Sequence, residues 1–498
     1  MNKGIMIILD GYGEGESSPF NAVKNANTPT LDKVKENGFS LIKTSGESVG
    51  LFPLDMGGSE VGHMTLGAGR VVPTTAKLIS DEIKSKNFEK NKNLIKILKK
   101  LEKCGSNLHL VGLMSDKRIH SDINHCVELV KIASKYAKNV FIHFITDGRD
   151  CGIYDSLKYL KFLKKEIKSI ENCEIASVGG RDFAMDRDKN MDKIETAFNA
   201  MFSNEKKIKN VENYIKKQHE LGFTDQFIQP ARVETKGDSS FNKNDLVFFF
   251  NFREDRLRQM VDFVQSKSMC VAAMSNVGGS KGVVLYPNKN VKNTLSEHLS
   301  KLGIKHVKIS ESTKYAHVTY FFNGGQEAPF EMEERVHIKT KSTEDFALTP
   351  KMRAKEITSE TIKHIKKNYG AIIVNFSNPD MIGHTGNYEK TKIAIEYLDK
   401  CVKKILKCAK KNDYFVMLTA DHGNSEQMRT ENNQPHMAHT LNDVFCSVVS
   451  QNNVVLKEKG ELSDIAPTFL DLMRVKANKS FTGHSLIINS VDKTKDKE

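Results

Sequence analysis

The sequence lacks the cysteine patterns of disulfide frameworks and zinc ribbons. Its eight cysteines are scattered along 498 residues, and no two of them form a Cys-x-x-Cys pair. Pro-rich and Ser-rich tracts are also missing, and a hydrophobic content of 39% indicates a globular protein rather than a disordered one. Scattered cysteines of this kind fit reduced thiols, so we expect a cytoplasmic protein.

Long hydrophobic runs are absent as well. Near the N-terminus only Ile5–Leu9 are continuously apolar, which is too short for a signal-peptide core or a membrane-spanning helix. We therefore expect no membrane association. Internal repeats of about 20 to 50 residues, which would indicate a solenoid, are not visible. The length instead predicts roughly two to four domains.

The charge of the chain is unbalanced, with 75 Lys and Arg against 62 Asp and Glu and a formal net charge of +13. Most of the excess is lysine in amphipathic helical stretches such as 84–103 and 400–411, where solvated helix faces explain it. Nucleic-acid binding would require basic patches interleaved with aromatic residues on one module, and we find none. We therefore expect no nucleic-acid partner, whereas a small anionic substrate would be steered by such a surface.

Apolar strands that end in polar residues recur along the chain and predict an α/β fold with a mainly parallel sheet. The first strand runs from Lys3 to Asp10, and ligands bind at the carboxyl ends of strands in such sheets. Four later strands end in segments rich in Arg or His, which suit an anionic ligand. The candidate residues in these segments are His120, Arg149, Asp150, Arg181, Arg187, Arg253 and Arg256. Surface ion pairing with neighbouring acidic residues is the alternative.

Ser59 follows two glycines in the segment 56–63 and precedes residues that predict a helix starting at this serine. A strand over 40–50 is predicted to lead into this loop. A helix start offers free N–H groups and partial positive charge, both of which suit a phosphate held on the serine. Taken alone, a serine at this position is more often a plain N-cap, which is the alternative.

Two further strands, predicted at 371–376 and 414–419, end in Asp and His. The candidate metal ligands at these ends and in the later histidine-rich segment are Asp380, His384, Asp421, His422 and His439. Carboxylate and imidazole without thiolate suit manganese, zinc or a similar divalent ion. Together with Asp10 and Ser59 they could hold two ions, which would lower the pKa of the serine and clamp a phosphoryl group.

Taken in order, these motifs resemble those of the cofactor-independent phosphoglycerate mutases of the alkaline phosphatase superfamily. The match extends nearly from end to end and includes the segments 9–13, 56–63, 67–70, 147–150, 249–253, 314–319, 420–424 and 465–468. The resemblance implies an alkaline-phosphatase-like three-layer metal domain with a mainly parallel sheet, formed by residues 1–74 and 289–498. It also implies an inserted α/β transferase domain, residues 75–288, that acts as a substrate-binding lid with hinges near 72–74 and 288–289.

The resemblance further implies interconversion of 3-phosphoglycerate and 2-phosphoglycerate through a phosphoserine at Ser59, a step of glycolysis and gluconeogenesis. Two divalent ions are implied, usually manganese, and no bisphosphoglycerate primer. One ion would be bound by Asp380, His384 and His439, and the other by Asp10, Ser59, Asp421 and His422. The glycerate would be bound by His120, Arg149, Asp150, Arg181 and Arg187, and the phosphate by Arg253, Arg256 and Lys314. Asp150 would be the general acid/base, and we expect a monomer.

The chain departs from the family pattern at 51–56, 121–122 and 341–346. None of these segments contains a residue with an implied catalytic role, although contacts made by 341–346 are in doubt. A related phosphopentomutase or metal-dependent phosphomonoesterase is an alternative, since both would use the same serine and ions. A basic binding protein with relic enzyme motifs is the alternative from a different class.

Overall fold

The computed structural model describes residues 1–203, 207–253, 255–277, 282–288, 290–343 and 345–491. The chain divides into two compact units: unit 1 comprises Met1–Thr74 with Lys289–Glu498, and unit 2 comprises Thr75–Asn288. The expected hinge residue Lys289 and one residue of the divergent segment, Glu344, lie outside the described residues. Each unit contains an eight-stranded sheet.

Unit 1 begins with the strand that becomes the middle of its sheet. Its first segment contains β1 (Lys3–Leu9), α1 (Ala22–Asn25), α2 (Pro29–Glu36), β2 (Ser40–Lys43), a 3-10 turn (Gly46–Val49) and α3 (Ser59–Ala68).

Unit 2 follows with alternating helices and strands. Its elements are α4 (Thr75–Lys84), a 3-10 turn (Phe88–Lys90), α5 (Lys92–Cys104), β3 (Leu108–Leu113), α6 (Ile123–Ala133), β4 (Val140–Thr146), α7 (Ser156–Ile167), β5 (Cys173–Gly180), α8 (Arg181–Ala184), α9 (Met191–Phe202), β6 (Lys207–Ile208), α10 (Val211–Glu220), a 3-10 turn (Asp225–Phe227), β7 (Ala231–Val233), β8 (Leu246–Phe249), α11 (Arg258–Ser266), β9 (Cys270–Ala273) and β10 (Val283–Val284).

The chain then returns to unit 1. The second segment contains α12 (Leu295–Lys301), β11 (His306–Glu311), α13 (Ser312–Ala316), a π-helical turn (His317–Phe321), β12 (Glu333–Ile338), a 3-10 turn (Phe346–Leu348), α14 (Ala354–Lys366), β13 (Ala371–Phe376), α15 (Asn378–Gly383), α16 (Tyr388–Lys411), β14 (Tyr414–Thr419), β15 (Val444–Val449), β16 (Asn453–Leu456), β17 (Lys459–Glu461), a 3-10 turn (Leu462–Asp464), α17 (Ile465–Leu472) and β18 (Ile487–Val491).

The sheet of unit 1 has the order β12-β11-β13-β1-β14-β15-β2-β17. Its first five strands are parallel, and β15 is antiparallel to both of its neighbours. The side chains of Ile5–Leu9 are fully buried, which explains why β1 is apolar on both faces. Leu9 pairs with Phe376 and Ile8 pairs with Thr419. This register brings the polar residues that follow β1, β13 and β14 to the same edge of the sheet.

The sheet of unit 2 has the order β10-β9-β8-β3-β4-β5-β7-β6. Strands β8, β3, β4 and β5 are adjacent and parallel. They are the four strands whose ends are rich in Arg or His in the sequence, so these ends meet at one edge of the sheet. The prediction of α/β units with mainly parallel sheets is confirmed. Among the described residues, no helix has both the length and the apolar character needed to cross a membrane.

The local predictions around Ser59 differ in outcome. Helix α3 begins at Ser59, as predicted. The predicted strand over 40–50 is wrong in its second half, because β2 ends at Lys43 and a 3-10 turn follows. Gly46 and Gly50 adopt positive φ angles of 58° and 76°, a conformation that interrupts a strand.

Helix α3 depends on close packing at Gly67. A Cβ at this position would lie 1.9 Å from the carbonyl oxygen of Phe322, next to the π-helical turn. We expect Gly67→Ala to lower the free energy of unfolding by about 1–3 kcal/mol, because backbone atoms must move apart. Urea denaturation measures this. Gly237→Ala is the control, since its nearest neighbour would be 3.6 Å away; equal stability of the two variants would contradict the packing argument.

Candidate active site

Ser59 lies at the start of α3 in unit 1, and its side chain is 6% exposed. Its Oγ is 3.3 Å from Oδ1 of Asp10, 2.9 Å from Nε2 of His422 and 2.5 Å from Nζ of Lys314. The helix is capped by Gly58, so the alternative in which Ser59 is a plain N-cap is wrong. The hydroxyl is instead directed towards acidic, imidazole and ammonium groups.

The turn before the serine requires glycine at position 57. A Cβ there would lie 1.9 Å from the carbonyl oxygen of Thr44, which follows β2. The carbonyl oxygen of Gly57 accepts a hydrogen bond from Nδ1 of His439 at 2.8 Å. The loop before Ser59 is therefore fixed both to the sheet and to a predicted metal ligand.

Asp10, Asp421 and His422 form one group of potential metal ligands. All three side chains are fully buried, and their ligand atoms lie within 4.8 Å of one another. Nδ1 of His422 lies 3.2 Å from the carbonyl oxygen of Gly423 and donates to it, which leaves the Nε2 lone pair directed into the group. Nε2 is 3.4 Å from Oδ2 of Asp421 and 3.6 Å from Oδ1 of Asp10. With Ser59 Oγ, these atoms provide the four ligands predicted for one ion.

Asp380, His384 and His439 form the second group, which is also confined within 4.8 Å. Nδ1 of His384 donates to the carbonyl oxygen of Met437 at 2.7 Å, and Nδ1 of His439 donates to Gly57. Both Nε2 lone pairs then face Oδ1 of Asp380, at 3.2 and 3.4 Å, and are 3.2 Å from each other. Three acceptor atoms this close repel one another unless a cation lies between them, so the group fits a metal ion.

Lys314, on α13, lies between the two groups. Its Nζ is 2.7 Å from Oδ1 of Asp10 and 2.6 Å from Oδ2 of Asp380. Burial alone would lower the pKa of Lys314, but Asp10, Asp380 and Asp421 hold it above its usual value. Burial and the nearby Asp421 raise the pKa of Asp10. Three buried carboxylates with one ammonium leave excess negative charge, which favours divalent cations.

Residues that sequence reasoning missed support these ligands. Nδ1 of His63 is 2.9 Å from the carbonyl oxygen of Ser59 and 3.2 Å from Oδ2 of Asp421. Its Nε2 lies 3.0 Å from Nδ2 of Asn375, which donates to Oδ2 of Asp10 at 2.7 Å. The spacing of four residues from Ser59 on α3 could have indicated His63. Asn375 lies inside an apolar strand and gave no comparable indication.

In unit 2, Arg181 connects two carboxylates. Its Nη1 lies 2.5 Å from Oδ1 of Asp147 and 2.6 Å from Oδ2 of Asp150. Asp147 is buried, and its Oδ1 also accepts hydrogen bonds from the backbone N–H groups of Arg149 and Asp150. Burial alone would raise the pKa of Asp147, but the hydrogen bond from Arg181 holds it below its usual range. Asp147 directly follows β4 and was also missed.

His120 lies beside the same cluster and is 4% exposed. Its Nε2 is 3.6 Å from Oδ2 of Asp150, and its Nδ1 is 4.0 Å from Oδ1 of Asp255. Asp255 also pairs with Arg253 at 3.1 Å and Arg256 at 3.8 Å. Burial and then the positive charge of Arg181 lower the pKa of His120 to about 4, so it is a neutral imidazole near pH 7.

The remaining predicted arginines contribute to one positive region of unit 2. Burial, followed by the charges of Arg187, Arg181 and Arg149, lowers the pKa of Arg256. Guanidinium groups that influence one another in this way favour an anion between them. The alternative of ion pairing holds in part, since Arg181 and Arg253 have acidic partners, but Arg149 and Arg187 are exposed. The cluster therefore combines paired and available cations.

Comparison with known proteins was made for the whole chain. Residues 2–477 match the model of the Metalloenzyme superfamily. The 2,3-bisphosphoglycerate-independent phosphoglycerate mutase of Ehrlichia ruminantium (strain Welgevonden) is 39% identical, over 98% of this chain and 99% of that protein. The enzyme with the same name from Mycoplasmoides gallisepticum is 38% identical, over 98% of this chain and all of that protein.

A solved structure supports the same relationship. Leishmania mexicana phosphoglycerate mutase, crystallised at low cobalt concentration, superimposes with a TM-score of 0.66. The sequences are 28% identical, and the match covers 98% of this chain and 97% of that one. The similarity thus extends over both units.

The two ligand groups predict the stoichiometry of metal binding. Protein stripped of metal and dialysed against Mn²⁺ should bind two ions per chain, because each group brings three ligand atoms together. His439→Ala should reduce this to one ion, since it removes a ligand of a single group. Elemental analysis after equilibrium dialysis measures the ratio. His436→Ala, three residues away, should retain two ions; two ions in His439→Ala would refute the assignment.

Proposed function

Because the chain belongs to the Metalloenzyme superfamily and, within it, to the 2,3-bisphosphoglycerate-independent phosphoglycerate mutases, we propose that it interconverts 3-phosphoglycerate and 2-phosphoglycerate through a phosphoserine at Ser59. It is an isomerase of this class. The observation that carries the proposed intermediate is the hydroxyl of Ser59, directed from a helix start towards Asp10 and His422 of one ligand group and towards Lys314. The proposed reaction uses no bisphosphoglycerate primer.

The proposed metal ligands are those of the two groups. Asp380, His384 and His439 would bind one ion, and Asp10, Ser59, Asp421 and His422 the other. Carboxylate and imidazole ligands without thiolate support manganese as the resident ion. When bound, such ions would lower the pKa of the serine hydroxyl and neutralise charge on a phosphoryl group.

The residues of unit 1 assist phosphoryl transfer directly. Ser59 Oγ, in its deprotonated form, attacks the phosphorus of 3-phosphoglycerate, and the bond from phosphorus to the 3-oxygen breaks; the same deprotonated oxygen is released when the phosphoryl group moves on. The ammonium of Lys314, 2.5 Å from Oγ, favours the negatively charged oxygen and stabilises a phosphoryl group on it. The N-terminus of α3 adds free N–H groups at the same position.

We assign the binding of glycerate and the proton transfers to unit 2. Asp150 gives a proton to the departing 3-oxygen, and then takes the proton from the 2-hydroxyl as that oxygen attacks the phosphoserine. Ser59 Oγ leaves, and 2-phosphoglycerate forms. His120, Arg149, Arg181 and Arg187 would hold the glycerate, while Arg253 and Arg256, with Lys314 of unit 1, would bind the phosphate. The monomeric state and the cytoplasmic location stay predictions from the sequence.

A coupled assay tests the function. Purified protein with Mn²⁺ and 3-phosphoglycerate, but no primer, should produce 2-phosphoglycerate, which enolase converts to a product absorbing at ultraviolet wavelengths. Ser59→Ala should reduce turnover by at least about a thousandfold, because the covalent intermediate cannot form. Release of inorganic phosphate without 2-phosphoglycerate would instead identify a phosphomonoesterase. Turnover of Ser59→Ala above a tenth of the wild-type value would refute the phosphoserine.

Asp147→Asn tests whether the ion pair between Asp147 and Arg181 contributes to the proposed reaction. With Asp147 neutral, Arg181 keeps only one charged partner, Asp150, so its guanidinium is held less firmly at the proposed glycerate site. We expect kcat to fall about tenfold and the KM for 3-phosphoglycerate to rise, because a less firmly held guanidinium positions the glycerate poorly. Profiles recorded from pH 5 to 9 measure both. Asp155→Asn is the control, because its amide oxygen can still accept from the backbone of Gly152 in the same loop, and it should retain the wild-type profile. Superimposable profiles for Asp147→Asn would exclude a role of Asp147 in holding Arg181.

A further inference from the structure

We propose that Glu426 is a positioning residue for both metal groups of unit 1, because its single carboxylate fixes three chain segments that carry some of their ligands. The inference rests on the proposed metal binding, and it does not depend on the identity of the substrate. Glu426 is 3% exposed, follows β14 by seven residues, and belongs to neither ligand group.

The carboxylate accepts hydrogen bonds on both oxygens. Oε2 accepts from the backbone N–H of Gly13 at 3.2 Å and from that of Asn424 at 2.8 Å. Oε1 accepts from the hydroxyl of Thr440 and from Nδ2 of Asn442 at 3.0 Å. The four donors come from three chain segments, one after β1 and two at opposite ends of the long connection between β14 and β15. Glu426 is therefore the point at which these segments are joined.

Each of the three segments carries at least one metal ligand close to its donor. Gly13 is three residues after Asp10, and Asn424 is two residues after His422. Thr440 is next to His439, and its backbone N–H donates to the carbonyl oxygen of Gly423 at 3.1 Å. The first two segments supply Asp10, Asp421 and His422 of one metal group, and the third supplies His439 of the other. A shift of Glu426 therefore affects the relative positions of ligands in both groups.

The backbone of these segments is shaped to admit the carboxylate. A Cβ on Gly13 would lie 2.3 Å from Oε2 of Glu426, and a Cβ on Gly423 would lie 2.4 Å from Oε1. Asn424 reaches the second metal group as well, since its Nδ2 donates to Oδ1 of Asp380 at 2.9 Å. The glycines therefore leave room for the Glu426 carboxylate, and Asn424 connects that carboxylate to Asp380.

The chemistry of the site requires a carboxylate rather than an amide. A carboxylate accepts on both oxygens, whereas glutamine would direct an NH₂ group either at two backbone N–H groups or at Thr440 and Asn442. The shape is retained but one pair of donors loses its acceptor. The three segments would then hold their ligands less rigidly. Loss of a residue that orients metal ligands typically lowers metal affinity by about 10- to 100-fold.

Mn²⁺ titration of metal-free Glu426→Gln by calorimetry tests the proposal. We expect the dissociation constant for Mn²⁺ to rise about 10- to 100-fold. At saturating Mn²⁺, the KM for 3-phosphoglycerate should remain within about twofold of the wild-type value, because the arginine cluster of unit 2 is untouched. A merely structural role would lower the melting temperature without changing Mn²⁺ affinity.

Glu333→Gln is the matched control. Glu333 is also a fully buried carboxylate of unit 1, and it accepts from Asn323, Arg335 and the backbone of Phe330. Its loss should reduce stability but leave Mn²⁺ affinity unchanged, since none of these partners is a proposed metal ligand. Equal losses of affinity in both variants would overturn the positioning role.

Thr440→Val provides a milder variant in case Glu426→Gln does not fold. It removes one of the four donors, so we expect Mn²⁺ affinity to fall about three- to tenfold, a part of the range given for orienting partners. Wild-type affinity in either variant would overturn the proposal. A wild-type protein that binds two Mn²⁺ ions but does not interconvert phosphoglycerates would overturn the proposed function alone and leave the role of Glu426 standing.

Discussion

The burial of three carboxylates in unit 1 is the constraint on which the candidate site depends. Asp10, Asp380 and Asp421 are almost fully inaccessible, and burying like charges is strongly unfavourable without compensating cations. Lys314 compensates part of this charge. The Nε2 lone pairs of His384, His422 and His439 point towards the carboxylate oxygens and add to the repulsion among acceptors. This grouping of carboxylates and imidazoles is unfavourable by itself and becomes favourable when divalent ions bind between the ligand atoms.

Unit 2 has the same kind of sheet as unit 1, but the side chains at the carboxyl ends of its strands carry an excess of positive charge. Its cluster gathers guanidinium groups at the carboxyl edge of adjacent parallel strands, and carboxylates hold some of them in place. Arg181 is oriented by Asp147 and Asp150, whereas the exposed Arg149 and Arg187 retain charge for a ligand. The excess of positive charge suits an acid such as phosphoglycerate. One edge therefore concentrates ligands for cations and the other concentrates ligands for an anion.

The ends of the central strands could be predicted from the sequence. Parallel strands that are buried on both faces are apolar throughout, so the first polar residue marks the end of the strand. Strands β13 and β14 have the predicted bounds. Asp10 and Asp147 directly follow their strands, and Asp421 follows β14 after one residue. Supporting residues were harder to predict. Asn375 lies within an apolar strand, and Glu426 accepts a hydrogen bond from Gly13, which is 413 positions away in sequence. Such contacts depend on tertiary pairing, which local patterns do not encode.

The net charge of +13 shows how little overall composition says about such a site. Lysines of α16 account for a large share of the excess, and its residues at 400, 403, 404, 407, 410 and 411 are exposed, as the solvated-face interpretation predicted. The two cations to which we assign roles in the proposed reaction, Lys314 and Arg181, are instead buried among carboxylates. Exposed lysines interact weakly and are screened by salt, whereas a buried ammonium 2.5 Å from a serine oxygen alters the chemistry of that oxygen. The activity of the chain thus follows from how a few charges are enclosed, and the many exposed charges contribute at most a general attraction for acidic substrates.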